Sequence, residues 1–336
     1  MFSHIISDFD FDKEKILAVF SQAKKIQDLY LANWNAENKS NRKRLKECLF
    51  GKTIVWLGYE PSTRTRTSFE KAAKMLGADV IICDDMKNTS AAKGESLEDT
   101  IRTFQALGAD AIVMRHPESK APQNALKALG SDNSHPVIIN AGDGKNFHPT
   151  QALLDLYTLW RNFGEKFTNG ELVAGICGDL NGARTIHSLA LGLKLFNIPM
   201  ICVGPKNNNL PQQTEDLICW SKTGYIKTSD LSRWAGIPDF WYFCRLQTER
   251  YKDSISEEEL KKLEKDYIKN FGCTNEFRKL VKPDAVLMHP GPALAEFPEE
   301  TKKDPRSLVK KQVENGVWIR AALLKMILNP EFDFLI

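Results

Sequence analysis

Chemistry-bearing side chains cluster in a few short stretches of this 336-residue sequence. The densest is Glu60-Pro61-Ser62-Thr63-Arg64-Thr65-Arg66-Thr67, where hydroxyls and guanidinium groups crowd into what reads as the start of a helix. Backbone N–H groups at a helix N-terminus, the helix dipole and arginine together make a phosphate trap. Plain helix capping by Ser62 or Thr63 is the alternative, but capping does not need the neighbouring arginines. A second cationic group, Arg115, stands in Val113-Met114-Arg115-His116-Pro117. A glycine-rich turn, Gly142-Asp143-Gly144, then leads to His148-Pro149-Thr150-Gln151. The positive end of a helix disfavours imidazolium, and a neutral imidazole can donate one hydrogen bond to a polarised carbonyl.

Further along, Gly178-Asp179-Leu180-Asn181-Gly182-Ala183-Arg184-Thr185 resembles a nucleotide-binding turn without fitting G-x-G-x-x-G. Arg245-Leu246-Gln247-Thr248-Glu249-Arg250 adds another arginine. Arg184 and Arg245 can each grip a carboxylate in bidentate fashion. The seven cysteines (48, 83, 177, 202, 219, 244 and 273) are scattered and form no C-x-x-C pair, so neither a zinc site nor a disulfide framework is expected. They read as reduced, buried small hydrophobes of a cytoplasmic protein.

These residues need elements to hold them. The first ~48 residues carry helical apolar spacing. From residue 52, short apolar runs alternate with amphipathic stretches. Strands are expected at Thr53–Leu57, Asp79–Cys83, Ala111–Met114 and Val137–Asn140, with helices near 65–77, 95–107 and 120–129 between them. A long helix is expected from His148 to about Phe163. A second series follows: strands Leu172–Cys177, Met200–Val203, Phe240–Leu246 and Ala285–Met288, helices 183–195 and 212–223, and an exposed charged helix over 252–270. The last helix, about 306–328, is apolar on one face and is expected to pack back on the first half. No usable motif appears in 204–236. Alternation of this kind implies two α/β halves with parallel sheets, and in open parallel sheets ligands bind beyond the carboxyl ends of strands. Each charged cluster above falls at such an end.

Composition narrows the function class. Lys+Arg 46 against Asp+Glu 43 leaves a net charge of +3, too balanced for a dedicated nucleic-acid binder. The one basic run, Lys39 to Lys46, reads as a solvated helix end. No apolar run approaches the ~20 residues of a membrane span, and the N-terminus has no secretory pattern.

Seven motifs in order make the chain similar to the aspartate carbamoyltransferase family of catalytic chains: PSTRTRTSFE (61–70), KGESLEDT (93–100), VMRHP (113–117), NAGDGKNFHPTQALLDLYT (140–158), GDLNGARTIHS (178–188), RLQTER (245–250) and MHPGP (288–292). The resemblance spans about residues 50 to 325. It implies transfer of a carbamoyl group from carbamoyl phosphate to the amine of L-aspartate in pyrimidine biosynthesis, by a homotrimer with shared active sites. It implies two Rossmann-like α/β domains with the active site in the interdomain cleft: a carbamoyl-phosphate domain (1–150, completed by the C-terminal helix, about 306–336) and an aspartate domain (151–305). Ser62, Thr63, Arg64 and Thr65 resemble the family's phosphate cradle. Arg115 resembles the arginine bridging phosphate and carbonyl, His148 the donor to that carbonyl, and Gln151 the residue at the carbamoyl nitrogen. By the same resemblance Arg184 and Arg245 clamp the aspartate carboxylates with Gln247 beside them, and Pro290 and Gly291 offer backbone carbonyls to the reacting amines. The resemblance also implies that Ser90 and Lys93 sit on a loop that enters the neighbouring subunit's site. No metal or organic cofactor is implied; a regulatory subunit, if there is one, is a separate polypeptide.

Five cations (Arg64, Arg115, Arg184, Arg245 and Lys93) would then face about four anionic charges on the substrates. The pattern departs from the family after Pro292, where Ala293-Leu294-Ala295-Glu296 lacks an arginine that many relatives carry. Two other readings stand beside this one. An ornithine-type carbamoyltransferase shares the phosphate loop but favours a Cys-containing HCLP segment, and a degenerate scaffold subunit would have lost site residues that are present here.

Overall fold

A computed structural model describes residues 3–32, 36–84, 93–130, 135–219, 224–250 and 254–334. The chain divides into two compact units, Met1–Leu154 with Val313–Ile336, and Asp155–Gln312.

In the first unit, two helices, α1 (Lys13–Leu31) and α2 (Ala36–Glu47), precede β1 (Thr53–Gly58), α3 (Thr63–Leu76), β2 (Asp79–Cys83), α4 (Leu97–Ala106), β3 (Ala111–His116), α5 (Ala121–Ala128) and β4 (Val137–Asp143). Asp12 caps α1 by accepting from the Lys15 amide, and Ile16, Val19, Phe20, Ala23 and Ile26 recur on its buried face. The sheet is parallel, in the order β2-β1-β3-β4. β1, β3 and β4 are buried along nearly their whole length, which explains their unbroken apolar runs. Strand order reverses between β1 and β3, leaving a crevice at their carboxyl ends. Gly58 pairs with Arg115 at that edge, and the β3–β4 register shifts between Met114 and His116, around Arg115. Such an irregularity re-aims a side chain.

α6 (Pro149–Phe163) carries the chain into the second unit. There follow α7 (Glu165–Thr168), β5 (Ala174–Cys177), α8 (Arg184–Leu195), β6 (Met200–Val203), α9 (Gln212–Cys219), β7 (Tyr225–Thr228), α10 (Leu231–Trp234), β8 (Phe240–Phe243), α11 (Glu257–Phe271), α12 (Asn275–Leu280), β9 (Val286–Met288) and α13 (Glu299–Lys302). This sheet is also parallel, in the order β7-β6-β5-β8-β9, and reverses between β5 and β8. α14 (Val309–Leu328) returns the chain to the first unit. There Trp318 lies 5.6 Å from Tyr30, ring centre to ring centre, and Asn329 donates to the Cys48 carbonyl.

Several boundaries differ from those expected. β7 was invisible in the sequence because it is a short edge strand with two exposed residues, Ile226 and Lys227, and no apolar run. β8 stops at Phe243, three residues before the expected end; the Tyr267 hydroxyl takes the Cys244 carbonyl at 2.6 Å, in place of a strand partner. α11 starts at Glu257, where a Ser256–Glu259 capping box fixes its first turn. All seven cysteines are free. Five are buried as expected, but Cys83 is half-buried and Cys219 ends α9 exposed to solvent. The basic run lies in α2, where Arg44 donates to the Asp333 carbonyl and the Arg42 guanidinium lies 4.5 Å from the Tyr30 ring centre. No helix among the described residues is long and apolar enough to cross a membrane.

Candidate active site

Each sheet places one cluster of the expected residues at the carboxyl edge of its own switch point. In the first unit, β1 runs directly into the turn that opens α3. Ser62 occupies the N-cap position with extended backbone (φ −157, ψ 102), yet its side chain makes no capping hydrogen bond. Capping is therefore not what this hydroxyl does. No acidic residue stands in the first turn of α3 to neutralise the dipole. Thr63 and Arg64 are exposed, Ser62 is half-buried and Thr65 is buried. Arg115 reaches the same edge from β3, with Nε 3.2 Å from the Glu60 carboxylate and Nη1 3.5 Å from the Ala141 carbonyl.

The loop from β4 to α6 is organised by Asp143, which is fully buried. Its carboxylate accepts from the Lys120 and Phe147 amides and from the side-chain amides of Asn140 and Asn146, at 2.9–3.0 Å. Gly144 turns the chain at φ +52, and a Cβ there would lie 2.6 Å from the Pro117 carbonyl oxygen, so no other residue fits. The loop delivers His148 to the start of α6. The His148 carbonyl accepts from the Gln151 and Ala152 amides. The His148 and Gln151 side chains, three residues apart on one helix face, are both buried. Asp143→Ala strands four donors, that of Asn140 fully buried and the others partly so, and is expected to cost about 3 kcal/mol of stability, measurable by urea denaturation. Lys93 is exposed, on the turn before α4, and Ser90 lies outside the described residues.

In the second unit the loop after β5 has the same design. Asp179, 1% exposed, accepts from the Gly182 amide at 2.9 Å and from Asn208 Nδ2 at 2.7 Å, and the Gln247 amide approaches its second oxygen at 3.4 Å. This fixes the entry to α8, whose first residue is the buried Arg184. Gln247 is half-buried, and its backbone amide meets the same Asp179 carboxylate that fixes this loop.

Arg245 follows β8 and meets Glu249 end-on, with Nη1 and Nη2 at 2.7 and 2.5 Å from its two oxygens. This carboxylate raises the guanidinium pKa further, more than partial burial lowers it. The end-on fork leaves the Nε edge directed elsewhere, and a second carboxylate can dock side-on there. Glu249→Gln loosens that fork, so KM for the carboxylate-bearing substrate should rise about five- to tenfold, read from steady-state kinetics with kcat little changed.

β9 ends at His289-Pro290-Gly291-Pro292, a turn fixed from three sides. The His289 amide donates to Gln312, its Nδ1 accepts from the Gly291 amide at 2.8 Å, and its Nε2 lies 2.9 Å from Glu296. Nδ1 accepts, so the ring proton sits on Nε2 and points at Glu296. Burial pushes the Glu296 carboxyl up, but His289 and the Leu294 amide outweigh it and hold the pKa below the usual carboxylate value. Glu296, four residues beyond Pro292, thus steadies the turn.

Sequence reasoning passed over the acids Glu60, Asp143, Asp179, Glu249 and Glu296. Their signal was present: four of the five stand in or directly beside a motif above, and each of the five ties a loop or an arginine in place. Among the described residues no group of three or more His, Cys, Asp or Glu side chains is arranged to hold a metal ion.

The carbamoyl-phosphate-binding domain model of the aspartate/ornithine carbamoyltransferases matches residues 3–161, and the aspartate/ornithine-binding domain model matches 171–327. The chain belongs to the aspartate/ornithine carbamoyltransferase family. Within that family it is 40% identical to the aspartate carbamoyltransferase catalytic subunit of Methanocaldococcus jannaschii, over 97% of this chain and 98% of the relative. It is 37% identical to the chloroplastic aspartate carbamoyltransferase of Arabidopsis thaliana, covering 97% of this chain and 78% of that one. Among solved structures, the M. jannaschii catalytic subunit superposes with a TM-score of 0.81 at 36% identity, over 98% of this chain and 99% of that one. Aspartate transcarbamoylase of Trypanosoma cruzi in complex with carbamoyl phosphate gives 0.82 at 29% identity, over 96% and 95%. The carbamoyltransferase fold, two α/β domains with parallel sheets, is the fold expected from the sequence.

Proposed function

We propose that this chain transfers the carbamoyl group of carbamoyl phosphate to the amine of L-aspartate, giving N-carbamoyl-L-aspartate and phosphate in pyrimidine biosynthesis. The observation that carries this reading is the pairing of two different anion sites on one chain. One is an uncapped, acid-free helix N-terminus beside Arg64 and Arg115; the other holds two arginines, Arg184 and Arg245, at the second sheet's switch point. The first suits a phosphoryl group. The second suits a dicarboxylate, and its turn reads HPGP where an ornithine enzyme favours a cysteine.

The first unit binds carbamoyl phosphate and the second binds aspartate. Ser62, Thr63, Arg64 and Thr65 hold the phosphate. Arg115, Thr65 and His148 draw charge onto the carbamoyl oxygen, and Gln151 orients the carbamoyl nitrogen. Arg184, Arg245 and Gln247 hold the carboxylates, while the Pro290 and Gly291 carbonyls accept from the amines. The aspartate amine attacks the carbamoyl carbon, a C–N bond forms, the bond to the phosphate oxygen breaks, and the departing phosphate takes the amine proton. No residue becomes a covalent nucleophile. The rate gain comes from positioning and electrostatics, with alignment alone supplying about 7–11 kcal/mol.

The active assembly is a homotrimer in which Ser90 and Lys93 serve a neighbouring subunit's site. The open face of edge strand β2, with Ile81 43% exposed, supports an interface there. Five buried free thiols suit the reducing cytoplasm. Any regulatory chain is a separate polypeptide. The deciding experiment measures phosphate release from carbamoyl phosphate with L-aspartate, with L-ornithine and with no acceptor. Release with aspartate alone, matched by carbamoyl-aspartate, is expected. Release with ornithine instead overturns the acceptor assignment, and no acceptor-dependent release from folded protein makes the chain a scaffold.

A further inference from the structure

We infer that Arg320, a residue outside every motif above, is a positioning residue for the phosphate-binding turn and acts through Ser68. The inference rests on reading Ser62–Thr65 as the phosphate site. Arg320 lies on α14 and is 3% exposed. Its Nη1 stands 2.7 Å from the Ser68 hydroxyl. That hydroxyl stands 2.6 Å from the Arg64 carbonyl and 3.0 Å from the Thr65 carbonyl. A serine hydroxyl has one proton to give and two lone pairs to offer. It donates to the first-turn carbonyls of α3, so the guanidinium meets its lone pair. The chain Arg320–Ser68–Arg64/Thr65 therefore ties a buried cation to the backbone of the two residues assigned to phosphate.

Two further observations show that the guanidinium is placed by design of the sequence. Its carbon sits 5.0 Å from the Phe69 ring centre, a cation–π contact on the residue next to Ser68. Gly316, one turn earlier on α14, opens the space it occupies: a Cβ there would lie 2.5 Å from Arg320 Nη1. Glycine inside a helix is unfavourable, and here it lets the side chain fold back toward the N-terminal turn, the direction helical side chains lean. The result is a first turn of α3 held rigid from beneath, with a fixed positive charge adding to the potential at its N-terminus.

The test is calorimetric binding of inorganic phosphate to the full chain as wild type, Ser68→Ala, Arg320→Lys and the double variant, with steady-state kinetics alongside. Each single change is expected to weaken phosphate binding by about tenfold or more. The double variant should be no weaker than the worse single one, because both act on one link. KM for carbamoyl phosphate should rise in parallel, while KM for aspartate at saturating carbamoyl phosphate stays put. Wild-type phosphate affinity in both single variants overturns the proposal, as does an equal rise in both KM values, the mark of a general structural defect. Should Arg320→Lys fail to fold, the affinity of Ser68→Ala decides the matter alone. A wild-type protein that binds no phosphate overturns the reading of Ser62–Thr65 itself, and the proposal with it.

Discussion

Arg64→Ala is expected to lower kcat by about 10²–10³-fold, the cost of removing one preorganised charge from a site where transition-state charge develops. Arg64 stands in the first turn of α3, where the dipole is uncapped and the turn itself holds no acid. Its exposed side chain is free to reach a ligand rather than committed to the core. Because the phosphate gains charge as the C–O bond breaks, the loss should fall on kcat as well as on KM for carbamoyl phosphate. Stability should barely change, since an exposed side chain contributes little to the fold. Thermal melting and single-turnover kinetics together check this, and near-normal turnover would sink the phosphate assignment.

The second large effect is a gain. Arg64→Ala and Lys93→Ala chains should each be nearly inactive alone, and mixing them after dissociation should restore activity. If one subunit supplies Arg64 and its neighbour supplies Lys93, then in a random equimolar mixture about a quarter of the sites draw both intact residues. Lys93 is exposed on its turn before α4, as a residue serving another chain has to be. Recovery toward a quarter of the wild-type rate is the expected result. Mixed oligomers demonstrated by mass spectrometry without any recovery would rule out a shared site.

Legibility in the sequence followed the apolar runs. Strands β1, β3 and β4, buried along nearly their whole length, and the half-exposed edge strand β2, with its Val80-Ile81-Ile82 run, could all be read to within a few residues. The exposed edge strand β7 could not, because a strand with no face to bury leaves no periodicity. The proposed site residues were legible for a related reason. Hydroxyls and guanidinium groups packed at the end of an apolar run serve no core, so they read as candidate ligands for an anion. The acids that hold them did not, since Asp143 and Asp179 look like ordinary loop residues until the donors around them are known.

What the sequence determined by itself was which hydroxyl and guanidinium side chains stand together, in which order, at the carboxyl ends of strands. Local spacing suffices for that, because strand, turn and helix start are short-range events. The tertiary structure alone decided which strand ends lie together. Strand order is set by long-range pairing, and it puts β1 beside β3 and β5 beside β8. Two crevices thereby gather residues more than fifty positions apart, Arg64 with Arg115 on one sheet and Arg184 with Arg245 on the other. Only long-range packing could bring Arg320 beneath Ser68, 252 residues away in the chain.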